Sequence, residues 1–523
     1  GKESSMARPD NSPAIDKRFL DYLAAEPDGL SAQQLFDAGW GITYDDFLLL
    51  PGHIDFNPPD VSTATKLTKN IHLKVPFVSS PMDTVTEARM ATAMALHGGV
   101  GVIHYNMSAE KQAAEVSKVK VHKNGFITHP VCLPPTATVQ DVDEVKEKLG
   151  FSGIPITDTG AVGGKLLGIV TERDVDWLKD KSTPLSEVMT HVRDLVVGSE
   201  TMTLREADDV LRSSKKGKLP IVNESHELVS LICRRDLVKA HDFPQSTKNP
   251  TSKQLLVGAA IGTRAEDRER LEALVAAGVD FVVLDSAQGD SVYQREMIRH
   301  VHRSTQDRID VIAGNVVTKY QAANLIDAGA DALRIGMGSG SICTTQEVCA
   351  CGRAAATGVY RCGQIGRTFD IPVIADGGIK SPGHIMKALS AGADAVMMGS
   401  MLAGTDESPG DWIWKDGARV KTFRGMGSQE AMKAGSGKRY NVQGQQIKVA
   451  QGISGAVLDK GSLHQWIPYL QQCLRLAMQD VGCRDVPTIH HRRSTGALRF
   501  ERRSPAAQSE GSVHSVIHDG KRF

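Results

Sequence analysis

A cysteine that follows a run of glycines at alternate positions, Cys343, is the clearest candidate for a reactive group. Gly336, Gly338 and Gly340 come directly after the short apolar segment 332–335. Because glycine has no Cβ, such a loop lets the backbone approach a bound molecule closely. A thiol at the end of this loop predicts a nucleophile beside an anion or ion site. The alternative is a flexible turn that carries a buried, unreactive cysteine.

The composition is that of a large globular protein. The chain has 523 residues, too many for one ordinary core, so we expect two or more domains. Lys+Arg and Asp+Glu both number 61, so no overall basic charge indicates nucleic acid as a partner. Eight irregularly spaced cysteines predict free thiols in a reducing compartment. No apolar run is long enough to cross a bilayer, and we expect a cytoplasmic protein, with nuclear presence also open.

Strand-like and helix-like segments alternate on both sides of a central interruption. The strand-like segments lie at 75–80, 99–104, 257–261, 281–285, 310–315, 332–335, 371–378 and 395–400. Eight such β/α units are the number that a TIM barrel requires. The glycine spacing in the cysteine loop is not the G-x-G-x-x-G of an open dinucleotide-binding sheet. The sequence therefore predicts an α/β fold with a TIM (β/α)8 barrel.

The interruption contains two similar halves, which indicates an internal duplication. Each half has a helical stretch followed by two strand-like segments, at 153–157 and 167–174 in the first half and at 218–222 and 228–236 in the second. The pair resembles tandem cystathionine-β-synthase-type (CBS) domains, known together as a Bateman module. We therefore predict a tail at 1–29, a barrel formed by 30–117 and 249–523, and an inserted regulatory module at 118–248. A purely structural or oligomerising pair is the alternative.

A nucleotide site is implied by the resemblance to CBS domains. In that family a Ser/Thr-x-x-Asp after the last strand holds ribose and phosphate, and Thr171 and Asp174 match this pattern. The second half keeps Asp236 but has Cys233 where the hydroxyl residue is expected. Lys216 and Lys218 are also candidates for phosphate contacts, and a solvated charge run is the alternative for them. ATP and GTP are the expected regulators.

Glycines also end the last two barrel strands. Asp376-Gly377-Gly378 ends the seventh strand and Gly399-Ser400 ends the eighth. TIM barrels commonly hold phosphate after these strands, where glycine amides can donate to a dianion. Two tight turns that require glycine are the alternative. Because a carboxylate beside phosphate suits a sugar diol, the pair of motifs predicts a phosphorylated ribose and thus a nucleotide.

These motifs together resemble the inosine-5′-monophosphate (IMP) dehydrogenase family, in its eukaryotic form with the tandem insert. The resemblance rests on the loop 338–346, on both glycine turns, on 424–427 and on Arg439-Tyr440. It implies oxidation of IMP to xanthosine monophosphate (XMP) with NAD, the committed step of guanine nucleotide synthesis. Cys343 would bond to C2 of IMP and Thr345 would contact substrate or water. Arg439, with Tyr440 beside it, would activate water, and both residues would lie on a flap at about 410–455.

The resemblance also implies the binding residues. Contacts with IMP are expected from Ser80, Arg334, Ser341, Asp376, Gly377, Gly378, Gly399, Ser400, Phe423, Arg424, Gly425, Met426, Gly427 and Gln451. An NAD pocket is expected from Asp285, Ser286, Ala287, Asn315, Gly336, Met337 and Gly338. A potassium ion (K⁺) is expected at Gly338, Gly340 and Cys343, completed by Glu510, Gly511 and Ser512 of a neighbouring subunit. That contact implies a homotetramer, with octamers or filaments open.

Three other functions remain as alternatives. Guanosine monophosphate (GMP) reductase resembles the chain in the barrel, the cysteine loop and the nucleotide site. It normally has neither the tandem insert nor Arg439-Tyr440, so their presence favours the dehydrogenase. An inactive, nucleotide-sensing scaffold that assembles through the tandem pair is the second. A metal site at Cys349-Ala350-Cys351 is the third, and it lacks a second cysteine pair.

Overall fold

The protein is built around a closed barrel of eight parallel strands. The structure is a computed structural model that describes residues 28–122, 126–127, 130–149, 153–234, 243–436 and 449–513. The barrel strands are β1 (Phe77–Ser79), β2 (Val100–Ile103), β3 (Val257–Ile261), β4 (Phe281–Asp285), β5 (Asp310–Val316), β6 (Ala332–Ile335), β7 (Val373–Asp376) and β8 (Ala395–Met398). Neighbours in chain order pair in parallel, and β8 pairs with β1 to close the ring. The predicted TIM barrel is confirmed.

One helix packs outside the barrel after each strand. These helices are α1 (Ala88–Leu96), α2 (Ala109–Lys120), α3 (Glu266–Ala276), α4 (Val292–Thr305), α5 (Lys319–Asp327), α6 (Ala355–Thr368), α7 (Pro382–Ala391) and α8 (Leu463–Asp480). Local sequence sets several of their starts, because a hydroxyl residue caps the first turn. The Ser291 side chain accepts from Gln294 N before α4, and the Thr318 side chain accepts from Gln321 N before α5.

A short hairpin closes the amino end of the barrel. Its strands are Thr65–Lys66 and His72–Leu73, and Leu67 and Leu73 join the buried cluster inside the barrel. The backbone N–H of Lys69 donates to the carbonyl of Asp331, the residue just before β6 (3.1 Å). The carboxyl end of the barrel is therefore the end left for a ligand, as in other TIM barrels.

Between α2 and β3 lies a separate region with two similar halves. The first half has the helix Val139–Leu149 and a sheet of Gly153–Thr157, Leu166–Thr171 and Thr190–His191. The second has the helix Leu204–Ser214 and a sheet of Gly198–Ser199, Lys218–Val222, Leu228–Cys233 and Phe126–Ile127. The short helices Glu172–Val175 and Leu185–Val188 and the 3-10 turn Val192–Asp194 complete the described part. The repeated order of helix, strand and strand matches the predicted duplication.

After β8 the chain leaves the barrel and returns to it at α8. The described part of this excursion contains a three-stranded antiparallel sheet of Trp412–Lys415, Ala418–Arg424 and Ser454–Leu458, and the helix Gln429–Ala434. The sequence shows no clear periodicity here, yet the edges of the predicted flap are ordered strands.

The remaining elements lie near the chain ends or the cysteine loop. They are the helices Ala32–Asp37, Thr345–Cys349, Val486–Ser494 and Pro505–Glu510, the 3-10 turn Pro58–Asp60, and the antiparallel pair Phe47–Leu49 and Phe500–Arg502. In the described part of the chain, no helix has both the length and the apolar character needed to cross a membrane.

Candidate active site

A buried arginine links two carboxylates at the carboxyl ends of three strands. Arg334 in β6 places Nη1 2.6 Å from Asp285 Oδ1 at the end of β4. Its Nη2 lies 3.0 Å from Asp376 Oδ2 at the end of β7. The Arg334 side chain is 3% exposed, so its charge requires such partners. Asn315 Nδ2 also donates to Asp376 Oδ2 (2.9 Å) and to the Gly336 carbonyl (2.8 Å). Asp376 is therefore held in one orientation beside the cysteine loop.

The candidate nucleophile lies in the loop after β6, next to two polar side chains. Cys343 Sγ lies 3.1 Å from Thr345 Oγ1, and that hydroxyl donates to Gln451 Oε1 (3.3 Å). The loop is also held by backbone bonds to the excursion, because Ile453 N donates to the Ile342 carbonyl (3.0 Å). The Cys343 thiol is free and partly exposed. Tertiary structure thus brings the cysteine, a hydroxyl and an amide together.

A cavity of about 150 Å³ opens beside this thiol. Its lining includes the IMP contacts predicted in the barrel loops, Ser80, Arg334, Ser341, Asp376, Gly377, Gly378, Gly399 and Ser400, and those predicted in the excursion, Phe423, Gly425, Met426, Gly427 and Gln451. Cys343 and Thr345 line it as well. The structure thus brings together residues that are spread over more than 300 positions of the chain.

Arg424 is the exception among the predicted IMP contacts, because it does not line the cavity. The Arg424 guanidinium forms a two-pronged pair with Asp83, with Nε 3.0 Å from Oδ1 and Nη2 2.7 Å from Oδ2. This hydrogen bonding raises the pKa of Arg424 above its usual value. Asn106 Nδ2 donates to the same carboxylate (2.7 Å). Arg424 therefore anchors the segment that begins at Gly425 and does not line the cavity.

Two glycines at the end of β7 have backbone conformations that other residues rarely adopt. Gly377 and Gly378 have φ angles of +85° and +78°, and a Cβ on Gly377 would lie 2.6 Å from Ser339 Oγ. Behind this turn, His384 Nδ1 lies 3.1 Å from the Gly378 carbonyl and Nε2 lies 3.1 Å from Asp45 Oδ1. Burial lowers the pKa of His384 below its usual value, so this imidazole is neutral near pH 7.

A second cavity, of about 400 Å³, adjoins the first and shares Ala287, Met337, Thr345 and Gln451 with it. Of the predicted NAD residues, Asp285, Ser286, Ala287 and Met337 line this cavity, whereas Asn315, Gly336 and Gly338 line the first. Sequence reasoning missed several lining residues: Tyr105, Gly262, Thr263, Arg264, Asp267, Gln288, Ser291 and Tyr293. Gly262 and Thr263 had a usable signal, because they follow β3 as Ser286 follows β4.

The Cys349-Ala350-Cys351 segment does not form a metal centre in the described structure. Both cysteines are exposed and line the second cavity, and Cys351 Sγ lies 3.9 Å from Met337 Sδ. Within the residues that the structure describes, no group of three or more His, Cys, Asp or Glu is arranged to hold a metal ion. The earlier prediction of free thiols is confirmed for all eight cysteines.

Comparison with known proteins shows the family. The model for the IMP dehydrogenase / GMP reductase domain matches residues 41–514. The chain belongs to this family. It is 51% identical to the inosine-5′-monophosphate dehydrogenase of Toxoplasma gondii, over 94% of this chain and 98% of the relative. It is 52% identical to that of Schizosaccharomyces pombe, over 95% of this chain and 96% of the relative.

A solved structure in the family bears on the weight of the tandem insert. The GMP reductase of Trypanosoma brucei, in complex with GMP, matches with a TM-score of 0.78 and 36% identity, over 91% of this chain and 98% of that one. Residues 118–248 make up 131 of the 523 residues, so a match over 91% of the chain must include part of the insert. The insert therefore does not by itself exclude a reductase. The dehydrogenase of the same organism is 48% identical, over 94% of this chain and 96% of that one, and thus more similar.

The remaining predicted site residues either lie near the C-terminal helix or fall outside the described residues. Glu510, Gly511 and Ser512 end the helix Pro505–Glu510, whose Gln508 Nε2 donates to Asp46 Oδ1 (3.4 Å), and they do not line the cysteine cavity. Arg439, Tyr440 and Asp236 lie outside the described residues.

The described part of the insert site gives Thr171 and Asp174 a structural role. Thr171 N and Oγ1 both donate to Asp174 Oδ2 (2.7 Å each), which caps the short helix Glu172–Val175. The Lys218 side chain covers Gly153 in the opposite half of the insert, and Lys216 is exposed.

Proposed function

We propose that this chain oxidises IMP to XMP with NAD. The observation that carries the proposal is the position of the Cys343 thiol beside groups that suit the ribose and phosphate of a nucleotide. The thiol lies in a cavity that also holds a fixed carboxylate, Asp376, and the glycine turns at the ends of β7 and β8. The similarity to three dehydrogenases at 48–52% identity supports the same activity.

Different residues would bind the ribose and the phosphate of the substrate. Asp376 is already oriented by Asn315 and Arg334, so it can accept hydrogen bonds from a ribose diol without reorganisation. Gly378 and Gly399 allow a phosphate to approach backbone N–H groups closely. With phosphate and ribose held there, the purine extends toward the thiol.

Cys343 is the proposed nucleophile. Its sulfur, after losing the thiol proton to solvent, forms a bond to C2 of the purine, and the hydride that leaves C2 would be transferred to NAD as the two-electron acceptor. Water next adds to C2 of the resulting thioimidate and the C–S bond breaks, which releases XMP and the thiol. Thr345 Oγ1, between the sulfur and Gln451, is placed to orient either the thiol or the incoming water. Arg439 and Tyr440 as the groups that activate water remain a proposal from the family resemblance.

We place NAD in the second cavity. The second cavity shares Met337 and Thr345 with the first, so a dinucleotide held there would reach the purine. Asp285 lines that cavity but is 1% exposed and paired with Arg334, so Ser286 and Gln288 are more accessible to a ribose.

A potassium ion is the second proposed ligand, and K⁺ requires oxygen ligands. The backbone carbonyls of Gly338, Gly340 and Cys343 would supply them, together with Glu510, Gly511 and Ser512 of a neighbouring subunit. This would make the active form at least a homotetramer.

A direct assay separates the dehydrogenase from the reductase. Full-length protein incubated with IMP and NAD should form NADH and XMP, and Cys343→Ala should abolish turnover while leaving IMP binding measurable. Consumption of NADPH with GMP, and no response to IMP and NAD, would establish the reductase. An inactive scaffold would bind nucleotide and give neither reaction. Mass spectrometry should find the covalent adduct on the peptide that contains Cys343.

We further propose that purine nucleotides such as ATP or GTP bind the insert through Thr171, Asp174, Lys216, Lys218 and Asp236. The repeated α/β halves support this, and the capping role of Thr171 and Asp174 offers a structural explanation instead. Calorimetry of the full-length chain with ATP and GTP, alongside Lys216→Ala and Lys218→Ala, tests it. No heat of binding with the wild-type chain would contradict the proposal. Assembly size measured in the same titrations would show whether tetramers become octamers or filaments.

A further inference from the structure

Lys460 lies behind the turn that ends β8, on the side away from the cavity. Its Nζ donates to the carbonyls of Ser400 and Ala403, the second at 2.8 Å. Its backbone N–H also donates to the Gly404 carbonyl (2.9 Å). One residue therefore holds three successive parts of the turn whose first residues, Gly399 and Ser400, line the cysteine cavity.

The Lys460 ammonium has no carboxylate partner in the described part of the chain. Of the charged groups on the neighbouring segments, three have partners of their own, and Asp406, in the turn after β8, forms no ion pair in the described structure. Asp459 pairs with Arg419 (3.5 Å), and Glu407 accepts from Ser462 Oγ (2.8 Å). Lys421 donates to the Thr405 carbonyl (2.8 Å). Burial lowers the pKa of Lys460 to about 8, as expected for an ammonium with carbonyl partners only.

The cavity itself lacks a free cation for a phosphate dianion. Arg334 is the cationic side chain in its described lining, and it is already paired with Asp285 and Asp376. The N–H groups of Ser400 and Met401 have no acceptor among the described residues. In a trans peptide the C=O and the next N–H point in opposite directions, so a Ser400 carbonyl held by Lys460 directs the Met401 N–H to the other side of that peptide plane.

We propose that Lys460 is the positioning cation for the substrate phosphate, acting through the turn it holds at Ser400 and Ala403. It fixes the orientation of the Ser400–Met401 peptide, whose free N–H receives the phosphate together with the N–H of Ser400, and it supplies the positive charge that the cavity lining lacks. This role rests on the proposed nucleotide function. It makes nucleotide binding depend on a group that never touches the substrate.

Binding of IMP compared with binding of inosine isolates this effect, because the two ligands share the base and ribose. Calorimetry in a Cys343→Ala background removes both turnover and titration of the thiol. Lys460→Met should weaken IMP binding about tenfold or more and leave inosine binding within about threefold. Lys421→Met is the matched control, because Lys421 also donates its Nζ to two carbonyls, those of Thr405 and Ser408, and neither of these residues lines the cavity. It should leave the ratio of the two affinities unchanged.

A pH series gives a readout that a merely structural role would not change. The phosphate is already a dianion above about pH 7, so its own charge is constant there. With Lys460 present, the IMP-to-inosine affinity ratio should fall several-fold from about pH 7 to about pH 9.5, because the ammonium loses its proton in the free protein. Lys460→Arg should keep the ratio high and remove its pH dependence, since arginine stays charged.

The outcomes are distinct. A pH-independent ratio with Lys460 present, equal weakening of IMP and inosine by Lys460→Met, or an equal effect of Lys421→Met would each overturn the role of Lys460. Circular dichroism and the midpoint of thermal unfolding confirm that each variant is folded. If the wild-type chain oxidises IMP with NAD while these tests fail, the proposed function stands without the lysine. If it does not oxidise IMP, the proposed function fails independently.

Discussion

Gly336 permits the closest approach between two barrel strands in the site, and Gly336→Ala should therefore be severely damaging. A Cβ on Gly336 would lie 1.9 Å from the Asp376 carbonyl oxygen, whereas real Cβ atoms essentially never come within 3.0 Å of another atom. The ends of β6 and β7 would have to separate by about 1.1 Å. Asp376 is the carboxylate proposed to hold the ribose, and a misplacement of about 1 Å in an active site costs about 100-fold in rate. We expect kcat/KM for IMP to fall by about that factor.

Gly383→Ala in α7 is the matched control. Gly383 is exposed, the nearest atom to a Cβ there is Ser381 Oγ at 3.9 Å, and its φ angle is not in the left-handed region. We expect it to retain kcat/KM within about threefold, measured by NADH formation at varied IMP. The thermal unfolding midpoint of both variants separates a local shift from loss of the fold. Near-normal activity of Gly336→Ala, or an equal loss in Gly383→Ala, would refute the reasoning.

Three further substitutions test individual contacts. Thr345→Val removes the hydroxyl that lies 3.1 Å from Cys343 Sγ, and it should lower kcat about tenfold or more with little change in IMP affinity. Steady-state kinetics and calorimetry measure these two quantities, and a change in affinity alone would contradict the prediction. Asp83→Asn weakens the anchor of Arg424 and should raise KM for IMP about tenfold, in steady-state assays that should show a smaller change for NAD. Phe423→Tyr adds a hydroxyl to the ring atom Cζ, which would lie 3.9 Å from a Cβ added at Gly399. This substitution should tighten IMP binding about two- to tenfold and leave inosine binding unchanged. Calorimetry that shows equal gains for both ligands would place this hydroxyl away from the phosphate.

The insert shows how much one sequence pattern contributes to the choice between two activities. The duplication predicted from the sequence matches two α/β halves in the structure. As an argument for a dehydrogenase the insert carries less weight than the sequence suggests, because the GMP reductase of Trypanosoma brucei matches this chain through part of the insert. The distinction between the two activities lies instead in the higher identity to the dehydrogenases and in the assay with IMP and NAD.

The sequence alone determined the barrel and the loop that presents the cysteine. Strand periodicity and glycine positions are local properties, so β3, β4 and β6 have the predicted bounds. Only the tertiary structure decided which charges meet. Arg424 pairs with Asp83 across 341 positions. No local sequence pattern predicts a pair so far apart in the chain, because the pairing depends on how the barrel closes and on which charged side chains are then buried away from water.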